Sequence, residues 1–180
     1  MKQEINVFDY AETIMKAVKK GVLVTTKAGD QVNTMTISWG MLGIEWDLPI
    51  FTIFVRENRF TRTQLDENEE FTVNIPIDQE YDKRIIGYCG TRTGKEIDKA
   101  KELKLDLVDG DLVNVPGIKQ LPLTLECKVR YKQLQDRTAI PAEIREKDYP
   151  ENVDSTNSGA NKDYHIAYYG EIVKSYIIRD

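Results

Sequence analysis

The sequence predicts a mainly β protein: an antiparallel barrel decorated with short helices. Short segments of alternating or continuously apolar residues recur along the chain and are bounded by turn-forming residues. The helical patterns between these segments are short and follow no regular β–α–β succession. The pattern therefore favours an antiparallel barrel over a parallel α/β sheet.

The composition is typical of a single soluble domain over residues 1–180. Of these residues 31% are charged, and Lys and Arg are scattered among the acids to give a net charge of −5, which argues against nucleic acid as a partner. No apolar run approaches the roughly 20 residues that span a bilayer, and the first residues do not form a signal peptide. We therefore expect a cytoplasmic protein with no membrane partner.

Histidine and cysteine are scarce. The chain has one histidine, and its two cysteines, Cys89 and Cys127, are far apart and form no C-x-x-C pair. A zinc site of the usual kind needs several such ligands at short spacing. No metal site is expected.

The first 40 residues predict a helix followed by a hairpin. Asp9 and Glu12 form a D-x-x-E capping pattern at the start of an apolar stripe, and Gly21 follows two lysines at its end. Alternation then predicts strands over 22–26 and 31–39, joined by a turn at 27–30.

The middle and end of the chain predict further strands separated by short helices. Strands are expected over 50–55, 71–75, 123–134 and 164–178. Three short helices are expected: from Asn58 or Arg59 through Leu65, from a cap at Asp78 to a stop at Gly87, and over 98–103, with a loop over 89–97.

Residues 135–163 are predicted to form a long loop or insertion between the strands expected over 123–134 and 164–178. The segment is polar, contains two prolines and has no sustained period. A connection of this length is unusual in a compact domain and often has a functional role as a lid.

Residues 33–62 carry the strongest indication of a ligand site. Strand alternation from Asn33 places Met35 and Trp39 with it on one side, and Thr34, Thr36 and Ser38 on the other. A cluster of donors follows the next strand: Arg56, Asn58, Arg59, Thr61 and Arg62. Hydroxyls beside guanidinium groups suit a phosphate monoester, and a tryptophan with small polar neighbours suits a flat heteroaromatic ring. These residues suggest a ligand such as flavin mononucleotide (FMN), although an amphipathic strand with a core Trp39 and a solvated basic turn would give similar patterns.

The chain resembles the flavin reductase-like proteins, which bind FMN in a split β-barrel, and among them the flavoredoxin-type branch. The resemblance rests on the order and spacing of five segments: 33–40, 49–74, 94–99, 125–129 and 165–173. It implies a Greek-key-like barrel, bound FMN and a homodimer with the flavin near the interface.

The resemblance also assigns roles to residues. It places Asn33, Thr34, Met35, Thr36, Ser38 and Trp39 on the flavin, with Arg56, Asn58, Arg59 and Thr61 near its phosphate. It matches Lys95 to a basic residue near the flavin and His165, the only histidine, to a site residue of possible catalytic use; a packed histidine is the alternative. Some relatives supply a further aromatic from beyond their last strand, and here Tyr164, Tyr168 or the long segment are the candidates.

Three functions remain open. The first is an oxidoreductase that takes hydride from NADH or NADPH and passes electrons to flavin or another acceptor. No G-x-G-x-x-G follows a strand, so nicotinamide would have to stack on the flavin in an open cleft. The second is a flavoredoxin-like FMN carrier reduced by a protein partner. The third is a split barrel that has lost its flavin.

Overall fold

The computed structural model describes residues 1–77, 81–153 and 162–179, and its architecture is mainly β, as predicted. Within these residues there are ten strands, all paired antiparallel. They are β1 (Lys2–Glu4), β2 (Val22–Ala28), β3 (Gln31–Ile37), β4 (Gly40–Glu45), β5 (Leu48–Arg56), β6 (Glu70–Ile75), β7 (Leu107–Val108), β8 (Gly117–Ile118), β9 (Leu123–Leu134) and β10 (His165–Ile178).

Eight of these strands form one sheet that must curl on itself. Seven lie in the order β3-β2-β6-β9-β10-β5-β4, and β1 pairs with the far end of β10. The two edge strands are consecutive in the chain, because only Ser38 and Trp39 separate β3 from β4. Three Cα steps span at most about 11 Å, whereas the edges of a flat seven-stranded sheet lie about 29 Å apart. The sheet is therefore an incompletely closed barrel with its seam between β3 and β4.

Apolar side chains fill the barrel from one face of the sheet. Fully buried residues from six strands meet there, and helix α1 (Ala11–Lys20) packs against them through Ile14 and Val18. The opposite face of β2 is covered by α3 (Lys83–Thr91) and the segment after it, through a second cluster of Leu23, Ile85, Cys89, Leu105, Ile118 and Leu121. Layers on both faces of β2 explain why its burial is continuous rather than alternating.

The first helix ends where the sequence predicts and begins differently. Gly21, at φ 114°, ends α1 in a conformation that favours glycine. The predicted D-x-x-E cap is wrong, because Asp9 lies inside a 3₁₀ helix over Val7–Tyr10. Asn6 caps that helix by accepting a hydrogen bond from the Phe8 amide.

The sequence missed strand β4 and the hairpin that it forms with β5. The predicted strand 31–39 ends at Ile37, and after the Ser38–Trp39 link a new strand pairs with β5. Its turn consists of Trp46 and Asp47 at φ 53° and 59°, the left-handed conformation that two-residue hairpins require. Trp-Asp is not a typical sequence for that turn, and Met41 and Ile44 of β4 are exposed, so neither usual signal was present.

The predicted short helices form with shifted ends. Helix α2 spans Phe60–Glu67 and α4 spans Lys99–Glu102, close to prediction. Helix α3 is capped by Asp82 and continues through Gly87 to Thr91, so the predicted stop at Gly87 and the loop from 89 are wrong. A glycine in a helix interior costs only about 1 kcal/mol, and burial of Ile85 and Cys89 on either side offsets it. The predicted cap Asp78 lies outside the described residues.

The segment 135–163 is more regular than predicted. It contains a 3₁₀ helix over Arg137–Ala139 and helix α5 over Ala142–Asp148, while 154–161 lie outside the described residues. None of the residues of α5 is buried, so the helix has no strong apolar stripe for sequence reading to detect. In the part of the chain that the structure describes, no helix is long and apolar enough to cross a bilayer.

Gly170 tests how tightly the barrel interior is packed. It lies at a register shift between β9 and β10, and a Cβ there would overlap the ring of Phe71 and come within 3.0 Å of Cys127 Cβ. Gly170→Ala should lower the free energy of unfolding by about 1–3 kcal/mol, because a packed core resists added volume. Urea denaturation measures this.

Gly43 provides the matched control. It lies in β4, and a Cβ there would meet no atom within 4 Å. Gly43→Ala should therefore change stability by no more than about 0.5 kcal/mol. Equal effects at the two positions would contradict the packing that the structure shows.

Candidate functional site

A cleft runs along the seam of the barrel and has two connected lobes. The larger lobe, of about 620 Å³, lies between β3, the start of α2 and the 89–99 segment; we name it the polar lobe. The smaller, of about 180 Å³, lies between β3 and the end of β5; we name it the aromatic lobe. Met35, Thr36 and Arg59 line both lobes, so the two form a continuous site.

The polar lobe is electrostatically positive around a buried lysine. Lys99, the first residue of α4, is only 4% exposed, and its ammonium donates to the Cys89 carbonyl oxygen at 3.4 Å. Burial lowers the pKa of Lys99, and the neighbouring Arg59 lowers it further. A buried cation beside a second cation is costly unless an anion compensates it. The lobe is therefore suited to an anion.

The same lobe contains a helix N-terminus. Arg59 occupies the N-cap position of α2, and no side chain caps the first turn of that helix. The first amides of a helix point outward and favour negative charge. Thr61, in this first turn, lines the lobe and is buried. Amides, a hydroxyl and the cations of Arg59 and Lys99 thus line one space, at whose exposed side Arg92 and the carboxylate of Glu96 also lie.

Asn33 contributes an unsatisfied acceptor to the polar lobe. Its Nδ2 donates to Thr61 Oγ1 at 3.0 Å, whereas its Oδ1 is buried and has no hydrogen-bond partner within the described residues. Gly94 packs so closely against this oxygen that a Cβ there would collide with it. A buried acceptor without a donor is costly, and a hydroxyl-bearing ligand in the lobe would satisfy it.

The aromatic lobe offers flat, partly exposed apolar surface. Trp39 is 42% exposed, and its ring centroid lies 4.9 Å from that of His165 at an interplanar angle of 49°. Phe54 and Met35 line the same lobe, together with the small polar residues Thr36 and Ser38. Such a surface suits a planar heteroaromatic group.

His165 lies in the aromatic lobe as a neutral imidazole. Burial, followed by the nearby Arg56 and Arg59, lowers the pKa of His165 to about 3. Its Nδ1 is 2.8 Å from the Tyr149 hydroxyl, and the two rings meet edge to face. The geometry therefore gives His165 a place at the site but does not support protonated imidazolium as an acid.

Arg56 holds the 135–163 segment against β5. Its guanidinium donates to the backbone oxygens of Asp163 and Asp148, at 2.5 and 2.8 Å, and lies over the Tyr149 ring. The Asn58 amide donates to the Asp163 carboxylate at 2.9 Å. These contacts direct Arg56 towards the segment, although both it and Asn58 line the cleft.

The structure brings together all but three of the residues predicted for the site. Thr34 does not line the cleft; it is buried, and its hydroxyl donates to the Val24 carbonyl and lies 3.2 Å from that of Thr25. Arg62 lies outside both lobes and pairs with Asp66 at 2.9 Å. Lys95 is exposed and lies outside both lobes, and the lysine that lines the cleft is Lys99. The roles of the residues that line the cleft remain predictions.

Sequence reasoning missed Lys99, Phe54 and Tyr149. Lys99 had a readable signal, since Asp98 caps α4 and fixes the direction of the residue that follows it. Phe54 was read only as part of a buried strand. Tyr149 had no signal, because its position depends on how the 135–163 segment folds back onto β5.

Comparison with known proteins identifies the family. The flavin reductase like domain family matches residues 15–174. An uncharacterized protein of Archaeoglobus fulgidus is 28% identical over 116 residues, which is 64% of this chain and 64% of that protein, so the match spans less than two thirds of the relative. The chain belongs to the flavin reductase like family.

Solved structures confirm the fold. Flavoredoxin from Methanosarcina acetivorans is similar with a TM-score of 0.62 and 22% identity, over 88% of this chain and 68% of that one. Flavoredoxin of Desulfovibrio vulgaris gives 0.64 and 21%, over 88% and 69%. An NADH:FAD oxidoreductase of Streptomyces globisporus gives 0.59 and 16%, over 88% and 75%. The predicted split β-barrel is therefore confirmed.

Proposed function

We propose that this protein binds FMN in the two-lobed cleft and acts as an oxidoreductase that accepts hydride from NADH or NADPH and passes electrons to flavin or another acceptor. The observation that carries the proposal is the buried Lys99 beside Arg59 in one lobe, joined directly to the flat surface of Trp39 in the other. A cationic end and a planar end match a phosphate monoester attached to a ring system.

The polar lobe fits the phosphate of FMN. At the start of α2, Arg59 supplies a charge and Thr61 a hydroxyl. A second charge comes from Lys99 at the start of α4. Phosphate at a helix N-terminus gains from both the amides and the helix dipole. Of the two cations, the buried Lys99 would contribute more, because its attraction to the phosphate is less screened by water.

The lobes between them fit the rest of the molecule. Asn33 Oδ1 would accept a hydrogen bond from a ribityl hydroxyl, and Thr36 lies where the two lobes join. Trp39 and Phe54 would contact the ring. When bound, the flavin supplies the hydride and electron chemistry, while the protein binds the phosphate and leaves one ring face accessible.

The donor would approach through the open side of the aromatic lobe. The exposed part of Trp39 leaves room for a second flat group there. Similarity to the NADH:FAD oxidoreductase of Streptomyces globisporus supports this reading. Without a Rossmann motif, the nicotinamide would be held by stacking and a few hydrogen bonds.

A flavoredoxin-like electron carrier is the second candidate. Tyr149 and His165 bring the 135–163 segment to the edge of the aromatic lobe, where it restricts access by a large donor. Two flavoredoxins are among the similar structures. In that case a protein partner would reduce the flavin.

The visible absorption of FMN-loaded protein separates these functions. In the absence of oxygen, NADH or NADPH should bleach the oxidised flavin band within seconds, and the faster of the two names the donor. If neither nucleotide bleaches the band but dithionite does, the result would favour the electron carrier. Failure to bind FMN, riboflavin or FAD would reject both.

Substitution of Lys99 tests the phosphate site. Lys99→Met should weaken FMN binding by roughly tenfold to a hundredfold, since a hydrogen bond to a charged group contributes about 1.5–3 kcal/mol. Riboflavin lacks the phosphate, so its affinity should change by less than about twofold. Quenching of flavin fluorescence measures both constants.

Lys101 is the matched control for Lys99. It lies two residues further along α4 and is exposed. Lys101→Met should leave both flavin affinities unchanged. Equal losses of FMN and riboflavin affinity in Lys99→Met would show general damage to the cleft rather than loss of a phosphate ligand.

We also propose that residues 1–180 form one flavin-binding domain that assembles as a homodimer. The β4–β5 hairpin beside the cleft exposes large apolar side chains: Met41 is 49% exposed, Trp46 54% and Ile44 69%. Large apolar side chains exposed together in one hairpin often mark an interface. A second copy would cover it.

Sedimentation equilibrium tests the dimer. The chain mass is 20.7 kDa, and the expected particle has twice that mass. Ile44→Glu should shift the equilibrium to monomer, because it places a charge in the interface, while the exposed Leu134→Glu on β9 should not. A monomeric parent protein at micromolar concentration would reject the proposal.

A further inference from the structure

Tyr149 connects the 135–163 segment to the only histidine of the chain. It follows α5 directly, is 4% exposed and stacks on Tyr164 with ring centroids 4.5 Å apart. Its hydroxyl lies between two polar atoms: Gln135 Oε1 at 3.0 Å and His165 Nδ1 at 2.8 Å. Both distances are those of real hydrogen bonds.

The proton positions in this chain of three groups follow from the orientation of the Gln135 amide. Its carbonyl oxygen faces the Tyr149 hydroxyl and can only accept, and in this orientation the single phenolic proton of Tyr149 is donated to it. The Tyr149 oxygen is then an acceptor towards His165, and Nδ1 must carry a proton. In a neutral imidazole the lone pair is then on Nε2.

We infer that Tyr149 is a positioning residue that fixes His165 as the Nδ1–H tautomer and thereby presents Nε2 to the aromatic lobe as a hydrogen-bond acceptor. His165 lines that lobe beside Trp39, while its Nδ1 side is turned to Tyr149. The inserted segment therefore controls the hydrogen-bonding character of the site, which it reaches without lining either lobe.

The groups around His165 keep it neutral. Burial is the largest cause of its lowered pKa. The positive charges of Arg56 in β5 and Arg59 at the start of α2 lower the pKa further. Tyr149 adjoins it from the 135–163 segment, and Tyr164 precedes it in the chain. Asp148 and Asp163 direct their backbone oxygens to Arg56 rather than to His165. Among the described residues, no carboxylate raises the pKa of His165, so a second proton on the ring would be unfavourable.

A fixed acceptor selects the class of group that can lie against it. An N–H or O–H donor, such as the imide of a flavin or the carboxamide of a nicotinamide, gains a hydrogen bond. A carboxylate or another bare acceptor meets a lone pair and is disfavoured. His165 would therefore orient a donor-bearing ring and would not deliver a proton.

The tautomer can be observed directly because the chain has one histidine. Protein with nitrogen-15 in its histidine gives one pair of ring nitrogens in a long-range proton–nitrogen spectrum. We expect the flavin-free protein to show a protonated Nδ1 and a pyridine-like Nε2, unchanged between about pH 5 and 8, where free histidine titrates. A protonated Nε2, or titration within this range, would overturn the inference without any variant.

Tyr149→Phe then tests the cause. The ring is retained and the acceptor for Nδ1–H is removed, so the Nε2–H tautomer should appear. Burial and the two arginines are unchanged, so the ring should still not titrate between about pH 5 and 8. Tyr164→Phe is the control, because it retains the stacking partner of Tyr149 and leaves the hydroxyl that contacts His165. An unchanged tautomer in Tyr149→Phe would remove Tyr149 from this role.

Kinetics connect the tautomer to the proposed function. If FMN is reduced by a nicotinamide, Tyr149→Phe should raise the KM for the donor several-fold more than it lowers kcat, and Tyr164→Phe should change neither. This part rests on the proposed function. Absence of flavin binding would reject that function while the spectra of the flavin-free protein still decide the tautomer.

Discussion

The two-residue link between β3 and β4 is the constraint on which the rest of the structure depends. Ser38 and Trp39 join strands at opposite ends of a seven-strand path, so the sheet cannot lie flat. The curled sheet encloses an apolar core, and its seam leaves an opening lined on one side by β3 and on the other by the end of β5. Because Trp39 is part of the link, the same residue that closes the barrel is held at the mouth of the cleft.

Polar groups in this protein divide into those that satisfy one another and those left for a ligand. Asn74 donates to Thr25 and Thr72, and its Oδ1 accepts from the Ile118 amide, so every polar atom of this side chain is satisfied within the protein. Asn33 and Lys99 differ: one retains an unsatisfied oxygen and the other a buried charge beside a second cation. Folding leaves both groups without full compensation, and a ligand that supplies the missing partners would bind more tightly for that reason.

The sequence was sufficient for the barrel and for most of the site, and its failures have physical causes. Alternation and apolar runs report burial, so they located the strands with a buried face and missed β4, whose side chains are mostly exposed. The resemblance placed Thr34 at the ligand, but this side chain is buried and bonds within the sheet, which local sequence does not reveal. Tyr149 depends on Arg56 holding a distant segment in place, a tertiary effect with no local pattern.

The position of β10 has a consequence for how the protein is made. This strand follows all the others in the sequence, yet it lies between β9 and β5 in the middle of the sheet. A chain emerging from the ribosome can form the β2–β3 and β4–β5 hairpins early, but both open edges must wait until the last strand is synthesised. Contacts between residues so distant in sequence also form slowly. His165 and the end of β5 meet only when β10 is added, so the nascent chain has no complete cleft until that strand has been synthesised.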